Sequence, residues 1–467
     1  MSDDAAYEQL LPLGNKVRTG IIGLGHFSTA ILAQSTQVQG LSVAAVADVD
    51  AESAMKACRQ AELAEGHAVL CRDRASAVDA TEAGKLAVLE DAGLLMDLPL
   101  TVLVEATGNA EAGANYVTQA ISHGKNVALV NKEVDSVIGP ILRDLARRQG
   151  LVCTSVDGDQ HGLLMSLVRW ARRLGLEVIC GGKARDSEYV YDPVRSTVSC
   201  DRNEVEVPHH LRWAMAPMVP GQVKECLAAR REALSSLPQA AGFDLCEMEI
   251  AANGTGLLPD VPQLHCPALR TSEIPEVMTH ASDGGILEHT GAIDVVTCLR
   301  QKHEAGLGGG VFIVVRSART YAQRMLVGKG CLANHSGQAA LIYRPYHLCG
   351  VETIRTILRA GLGRGSDSDD FIPRLDLTAK TAIDLSAGAV LGGDHNPDLQ
   401  AEMLPACPIE CAKALPLHLF SGLRLRRSVA AGDWISPDVV ETPMGSTLWA
   451  LRRQQDKQFF HERRPSP

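Results

Sequence analysis

The sequence predicts an α/β protein whose N-terminal part is a doubly wound parallel sheet. Three observations predict it. Short β-branched runs alternate with helical stretches from residue 17 to about residue 160, the pattern of strands buried between two helical layers. The first run, VRTGII, leads into Gly23-Leu24-Gly25-His26-Phe27-Ser28, a glycine turn that opens a helix. The second run, LSVAAVA, ends at Asp48, an acid at the spacing that dinucleotide-binding βαβ units use.

The elements follow in order. Residues 17–22 read as strand, 29–37 as helix and 41–47 as strand. Residues 51–98 read as a helical, insertion-like stretch. Strand 101–105 runs into Ala106-Thr107-Gly108-Asn109, and a helix covers about 113–123. Strand 126–130 leads into Asn131-Lys132-Glu133, helix 140–149 follows, and a strand-like stretch at 151–156 precedes Asp157-Gly158-Asp159-Gln160. Residues 1–160 are therefore expected to be a Rossmann domain.

The chain then changes character. A helix at 163–174 and a strand at 176–180 enter Gly181-Gly182-Lys183. Residues 186–240 read as irregular and polar. A helix at 245–252 precedes Asn253-Gly254-Thr255-Gly256, and a strand is expected at 310–316. Tyr343-Arg344-Pro345-Tyr346-His347-Leu348 is read as opening a helix that runs to about Leu362, which closes a central domain over 161–365. The stretch 363–370 has linker composition. Residues 371–441, with glycine turns between two similar segments (384–391 and 428–435), read as a small separate β module. The charged tail, 442–467, reads as disordered.

Composition narrows the function classes. The 467 residues are 46% hydrophobic and 21% charged, with a net charge of −10. A basic face for nucleic acid is not expected from that balance, and no apolar run is long enough for a membrane span. Met1-Ser2-Asp3-Asp4 has no leader character. The 13 cysteines are an odd number, set mostly in apolar runs, which suits thiols in a reducing cytoplasm. Cys407 and Cys411 have no matching second pair, and no metal site is expected.

The candidate coenzyme contacts follow from the turn chemistry. Gly23 allows the tight bend, Gly25 lets backbone approach a pyrophosphate, and the helix from His26 and Phe27 offers N–H groups and its dipole. Ser28 stands where a small residue permits close packing. Asp48 is placed to accept from ribose hydroxyls, or else caps the next helix. With Asp50 and Glu52 beside it, it favours NAD over NADP. Thr107, Gly108 and Asn109 sit at a strand's carboxyl end, where the nicotinamide ribose would lie.

Four side chains are candidates for chemistry. Lys132 and Lys183 follow strand ends, and an ammonium there can polarise a carbonyl or steady an alkoxide. Each also reads as an ordinary loop lysine. Arg344 can grip a phosphate or carboxylate bidentately, and His347 can exchange protons near neutral pH. Asp159 and Gln160 lie at a similar level.

These pieces together resemble a known family. GIIGLGHFS, ADVD, VEATGN, NKE, DGDQ, GGK, NGTGL, YRPYHL and the C-terminal β module are similar to homoserine-dehydrogenase-like proteins that carry a SAF-type C-terminal domain. The branch most resembled includes reductoisomerase-like enzymes that convert 1-deoxy-D-xylulose 5-phosphate with NADPH. The resemblance spans about 15–441, with DGDQ and YRPYHL its most specific pieces. It implies a Rossmann domain, a central catalytic and dimerisation domain, a SAF-like β-clip and a homodimer. It also implies that Gly23, Gly25, Asp48, Thr107 and Asn131 hold the coenzyme, while Lys132, Lys183, Arg344 and His347 face the substrate. The chain departs from that branch in one place. An Asp-Gly-Thr-Lys segment is expected before the NGTGL helix, whereas Ala240-Ala241-Gly242-Phe243-Asp244 stands there without the lysine.

The expected function is an NAD(P)-dependent oxidoreductase that moves hydride to or from a small polar, phosphorylated or unphosphorylated, hydroxy or oxo compound. Two alternatives stay open on sequence. One is an enzyme that uses bound NAD transiently for net elimination, epimerisation or cyclisation. The other is a non-catalytic NAD(P)-binding regulatory protein. The partners expected are a small-molecule substrate and a second copy of the chain or a higher homo-oligomer.

Overall fold

The β-branched runs of the N-terminal third pair side by side, as their two-faced apolarity requires. The computed structural model describes residues 17–365 and 370–461. The acidic start, residues 366–369 of the linker and the last residues of the tail lie outside them. The chain divides into two compact units. The first comprises residues 1–162, 348–393 and 406–467, and the second 163–347 and 394–405.

In the first unit the strands are β1 (Val17–Ile22), β2 (Leu41–Ala47), β3 (Ala68–Leu70), β4 (Leu86–Leu89), β5 (Val102–Glu105), β6 (Asn126–Leu129) and β7 (Cys153–Ser155). They form one seven-stranded sheet in the order β3-β4-β2-β1-β5-β6-β7. All six pairings are parallel, so the predicted doubly wound architecture is present. Helices α1 (His26–Ser35), α2 (Ala51–Gln60), α3 (Arg74–Glu82), α4 (Ala110–Ser122) and α5 (Lys132–Arg148) connect the strands. Strand order reverses between β1 and β5, and ligands of open α/β sheets bind at the carboxyl ends beside such a reversal.

The stretch 51–98 is not a helical insertion. It carries β3 and β4, which extend the sheet beyond β2. Strands of three and four residues are too short to show an alternation, which is why only their helices were legible. The helix Thr353–Gly361 returns to this unit and puts Ile354, Ile357, Leu358 and Ala360 into the core with Ile21, Val46 and Val104.

The described part of the tail is ordered as well. Residues Thr447–His461 form a helix rather than a disordered extension. Its Gln455 amide enters α5 beside Pro140, where it accepts from Ile141 N at 3.2 Å and donates to the Val137 carbonyl at 3.1 Å. That is the pair of backbone groups a proline kink leaves open. On the same helix Arg452 is fully buried. It donates to both oxygens of Asp376 at 2.6 and 2.8 Å and to Asp456 at 2.9 Å. Arg452→Met leaves two buried carboxylates without their cation, so the unfolding free energy is expected to fall by about 3–5 kcal/mol. Urea denaturation of the purified protein measures this. A midpoint equal to wild type would show that the tail adds nothing to the fold.

The second unit holds a mixed sheet. Helix α6 (Gln160–Arg173) precedes β8 (Glu177–Ala184), β9 (Tyr189–Asp192), β10 (Thr197–Cys200) and β11 (Asn203–Glu206). Helices α7 (Val223–Ala233) and α8 (Asp244–Thr255) follow, then β12 (Ala268–Leu269), β13 (Ala292–Gln301), β14 (Val311–Arg316), β15 (Leu332–Ala333) and β16 (Ala340–Arg344). The order is β11-β10-β9-β13-β8-β14-β16-β15, with β12 beside β13. Two expectations are corrected here. Residues 186–240 are not irregular: β9–β11 and α7 enclose a core of Tyr189, Val198, Leu211, Met215 and Leu234. Arg344 and His347 do not open a helix. Arg344 ends β16, because the following Pro345 disfavours helical backbone at Arg344, and the helix begins only at Thr353.

Candidate active site

The coenzyme turn is built as its residues predict. Gly23 has φ +86°, and a Cβ there would stand 2.6 Å from the Ala106 carbonyl oxygen. Only glycine lets the turn after β1 lie against the turn after β5. Gly25 meets nothing within 4 Å and caps α1 with no side chain on its N–H groups. The hydroxyl of Ser28, one turn in, is buried without a hydrogen-bond partner. An uncapped helix end with open space before it fits a pyrophosphate. His26 is exposed and Phe27 half-buried at the same turn.

Asp48 does not cap α2. That role belongs to Asp50, whose carboxylate accepts from Glu52 N and Ser53 N. Asp48 instead accepts from Leu24 N at 2.7 Å and Asp50 N at 3.1 Å. These two bonds fix its half-buried carboxylate beside the glycine turn with acceptor capacity left over for ribose hydroxyls.

The ends of β5 and β6 are tied together. Asn131 donates to the Thr107 hydroxyl at 3.1 Å and to the Asn109 carbonyl at 3.0 Å. Gly108 is exposed between them. Lys132 is the first residue of α5 and half-buried. Beneath lies Glu105, whose role no local sequence pattern signals. It is fully buried and accepts from Thr107 N at 3.0 Å and the Thr107 hydroxyl at 2.6 Å. Its other oxygen is buried without a hydrogen-bond partner.

Burial pushes the Glu105 carboxyl up to about 7, against the pull of the Thr107 bonds. The folded protein therefore holds a proton that the unfolded chain releases near 4.5. Stability is greatest below that lower value, falls as pH rises through the window and is level above 7. The total loss is about 3 kcal/mol. Glu105→Gln is expected to remove most of that slope. Denaturation midpoints at the two ends of the window test this, and an unchanged slope would refute it.

Asp159 and Gln160 mark a junction. Gln160 N donates to its neighbour Asp159 at 2.7 Å. Asp157 N donates to the Thr356 hydroxyl and the Thr353 hydroxyl donates to the Asp157 carbonyl, both at 2.8 Å. The DGDQ segment thus clasps the returning helix.

The second unit gathers the other candidates. The strand that carries Lys183 does not stop at its glycines. A Cβ at Gly182 would lie 2.1 Å from the Asp294 carbonyl, so the glycine lets β8 pack on β13 and continue to Ala184. Lys183 is fully buried. Its Nζ donates to Glu247 and lies 2.6 Å from Asp244 Oδ1. Arg185 Nε stands 3.5 Å from the other Asp244 oxygen. Asp244 and Glu247 are three residues apart on one face of the first turn of α8, where the helix dipole favours anions.

Burial alone would lower the Lys183 pKa, but the two carboxylates outweigh it and hold the amine above its ordinary value. Burial raises the Asp244 carboxyl, partly offset by Lys183. Lys183 thus bridges the two acids, and Arg185 flanks Asp244 on its other side. The stretch 240–244 lacks the lysine that the resemblance implies. It supplies Asp244, and the lysine comes from β8.

Register brings Arg344 into the same row. Lys183 pairs with Val311, and Val311 pairs with Arg344. The two cations therefore share a face, two strands or about 10 Å apart. The Arg344 guanidinium lies 4.7 Å from the Tyr346 ring centre. His347 Nδ1 is 2.7 Å from the Gly309 carbonyl. A carbonyl only accepts, so Nδ1 carries a proton and Nε2 is the nitrogen left for exchange. Lys183, Arg344 and His347 belong to the second unit, and Lys132 to the first.

Two family models match. Residues 20–153 match the NAD binding domain of homoserine dehydrogenase, and residues 241–353 match the catalytic domain of oxidoreductase DRL. No curated protein matches the chain. Among solved structures, a dehydrogenase from Chromobacterium violaceum is 18% identical over 37% of this chain and 46% of its own, with TM-score 0.27. A 3-ketoreductase from Actinomadura kijaniata solved with NADP is 15% identical over 37% and 49%, with TM-score 0.26. A scyllo-inositol dehydrogenase from Lactobacillus casei is 14% identical over 37% and 46%, with TM-score 0.27. The chain spans about half the length of each.

Proposed function

From the matches of residues 20–153 to an NAD binding domain and of residues 241–353 to an oxidoreductase catalytic domain, we propose that the chain is an NAD(P)-dependent oxidoreductase that uses NAD to interconvert a hydroxyl and a carbonyl on a small anionic substrate. The observation that carries this reading is the fully buried Lys183 between Asp244 and Glu247. Three buried ionisable groups are an expensive way to fill a core, and apolar residues of that size stabilise better. Such clusters are characteristic of sites where protons move.

The coenzyme would rest on Gly23, Gly25, the first turn of α1 and Asp48, with Thr107, Gly108 and Asn131 at the ribose end. When bound it supplies the hydride donor or acceptor. The protein's own work is charge and proton handling. The Lys183 ammonium stabilises negative charge on the substrate oxygen, and Asp244 and Glu247 hold or release the proton that oxygen needs. Arg344, in the same row, receives the substrate's carboxylate or phosphate. His347 Nε2 serves as a further proton carrier. A small-molecule substrate and a homodimer complete the reading.

Specificity for NAD rests on Asp48, whose charge opposes a 2′-phosphate. NADH is expected to bind about tenfold or more tightly than NADPH, and Asp48→Ala to erase most of the difference. Nicotinamide fluorescence titrations measure both constants. Turnover of NADH with 2-oxo acids and sugar phosphates then tests the function, with Arg344→Gln raising KM. Equal affinity for both coenzymes would overturn the NAD assignment, and turnover indifferent to Arg344 would overturn the anionic substrate.

A further inference from the structure

A second polar cluster in the second unit is not used by this chemistry. Asp294 on β13 is fully buried. It accepts from His265 N at 3.0 Å, from Cys266 N at 3.2 Å and pairs with His265 Nδ1 at 2.6 Å. The flanking residues Leu264 and Cys266 have φ of 63° and 45°. Left-handed backbone at two non-glycine residues persists only where surrounding bonds over-determine it, and here one carboxylate supplies three of them. Their effect is to fix the His265 imidazole with Nε2 left over.

His265 lines a cavity of about 360 Å³. It is also lined by one stripe of α7 and its C-terminal cap, where Lys224, Leu227, Arg231 and Leu234 recur at helical spacing, and Arg231 donates to the His265 carbonyl at 3.4 Å. Ile286 adds apolar surface. Arg230 also lines it but is neutralised by Glu273 at 2.6 Å. No lining residue among those described is acidic. The cavity therefore combines an apolar body with cationic heads at Lys224 and Arg231, beside the His265 imidazole that Asp294 holds in place. It is distinct from the cluster around Lys183. Asp294 registers with Gly182, whereas Lys183 registers with Val295, so the two side chains leave opposite faces of the sheet.

We propose that this cavity binds a small organic anion, a carboxylate or phosphate carried on an apolar body. Its size suits a ligand of that kind, and its cations would meet the charged end while the α7 stripe covers the rest. The site adds a ligand position beyond the coenzyme and substrate.

The test uses the full chain and calorimetric titration with phenyl phosphate and benzoate, with benzyl alcohol as the neutral counterpart. Lys224 and Arg231 are both exposed, so the double variant Lys224→Ala/Arg231→Ala is expected to keep the wild-type melting temperature and NADH affinity. It should bind the anions about tenfold or more weakly, as should His265→Asn, while benzyl alcohol binds neither protein. The tighter of the two anions identifies the charged group preferred. Undiminished anion binding by the double variant would overturn the proposal. So would binding of benzyl alcohol as tight as that of phenyl phosphate, or no binding of either anion to wild type at millimolar concentration.

Discussion

Replacing Lys183 by methionine is expected to lower kcat/KM for hydride transfer about a thousandfold or more, with NADH affinity unchanged. The size of the effect follows from burial. In a water-free setting one fixed ammonium stabilises developing negative charge far more than a solvated one would. Methionine has similar bulk but no charge, and it also removes the cation that Asp244 and Glu247 share, leaving only Arg185 beside Asp244. Some fall in stability accompanies the kinetic loss and is measured separately by melting. Lys183→Arg is not expected to rescue activity, since a guanidinium does not fit a fully buried ammonium site. Steady-state kinetics beside coenzyme titration separates the two effects. A variant that turns over at the wild-type rate would make the triad a structural ion cluster and nothing more.

The second large effect is expected at Gly23. An alanine there must take φ +86° and bring its Cβ to 2.6 Å from the Ala106 carbonyl oxygen. Left-handed backbone and overpacking each cost, together about 2–4 kcal/mol of stability. The shift of the turn should weaken NADH binding about a hundredfold. Gly25→Ala is the informative partner. Its φ is −77°, and its Cβ would meet nothing within 4 Å. Stability should therefore stay at wild type while coenzyme affinity falls, because the space is what the pyrophosphate needs. If Gly25→Ala binds NADH as wild type does, the pyrophosphate does not lie on that turn.

Legibility in the sequence followed element size and distance along the chain. The βαβ unit was readable because β1, α1, β2 and Asp48 are contiguous and each choice agrees with the same turn. Strands β3 and β4 were not, since three or four residues carry no period. The tail helix was hidden by its charge. Arg452 reads as a solvated residue until Asp376 and Asp456 are seen to enclose it. In the candidate site, Lys183 is legible from the two glycines before it and Arg344 from its place at the expected start of a helix, each singly. That they share a row is a property of strand register across β8, β14 and β16, which local spacing does not encode. Asp244 and Glu247 did leave a signal, two acids three residues apart at a helix start. Glu105 left none, because burial alone makes it unusual.

The most direct test of the central claim is single-turnover oxidation of NADH by wild type and Lys183→Met, side by side, across 2-oxo acids and sugar phosphates. The account predicts that both proteins bind NADH equally and that wild type oxidises it with at least one of these substrates. In the variant that same reaction should be slower by about a thousandfold. Equal rates in the two proteins, or NADH bound by wild type with no oxidation by any member of the panel, would contradict it.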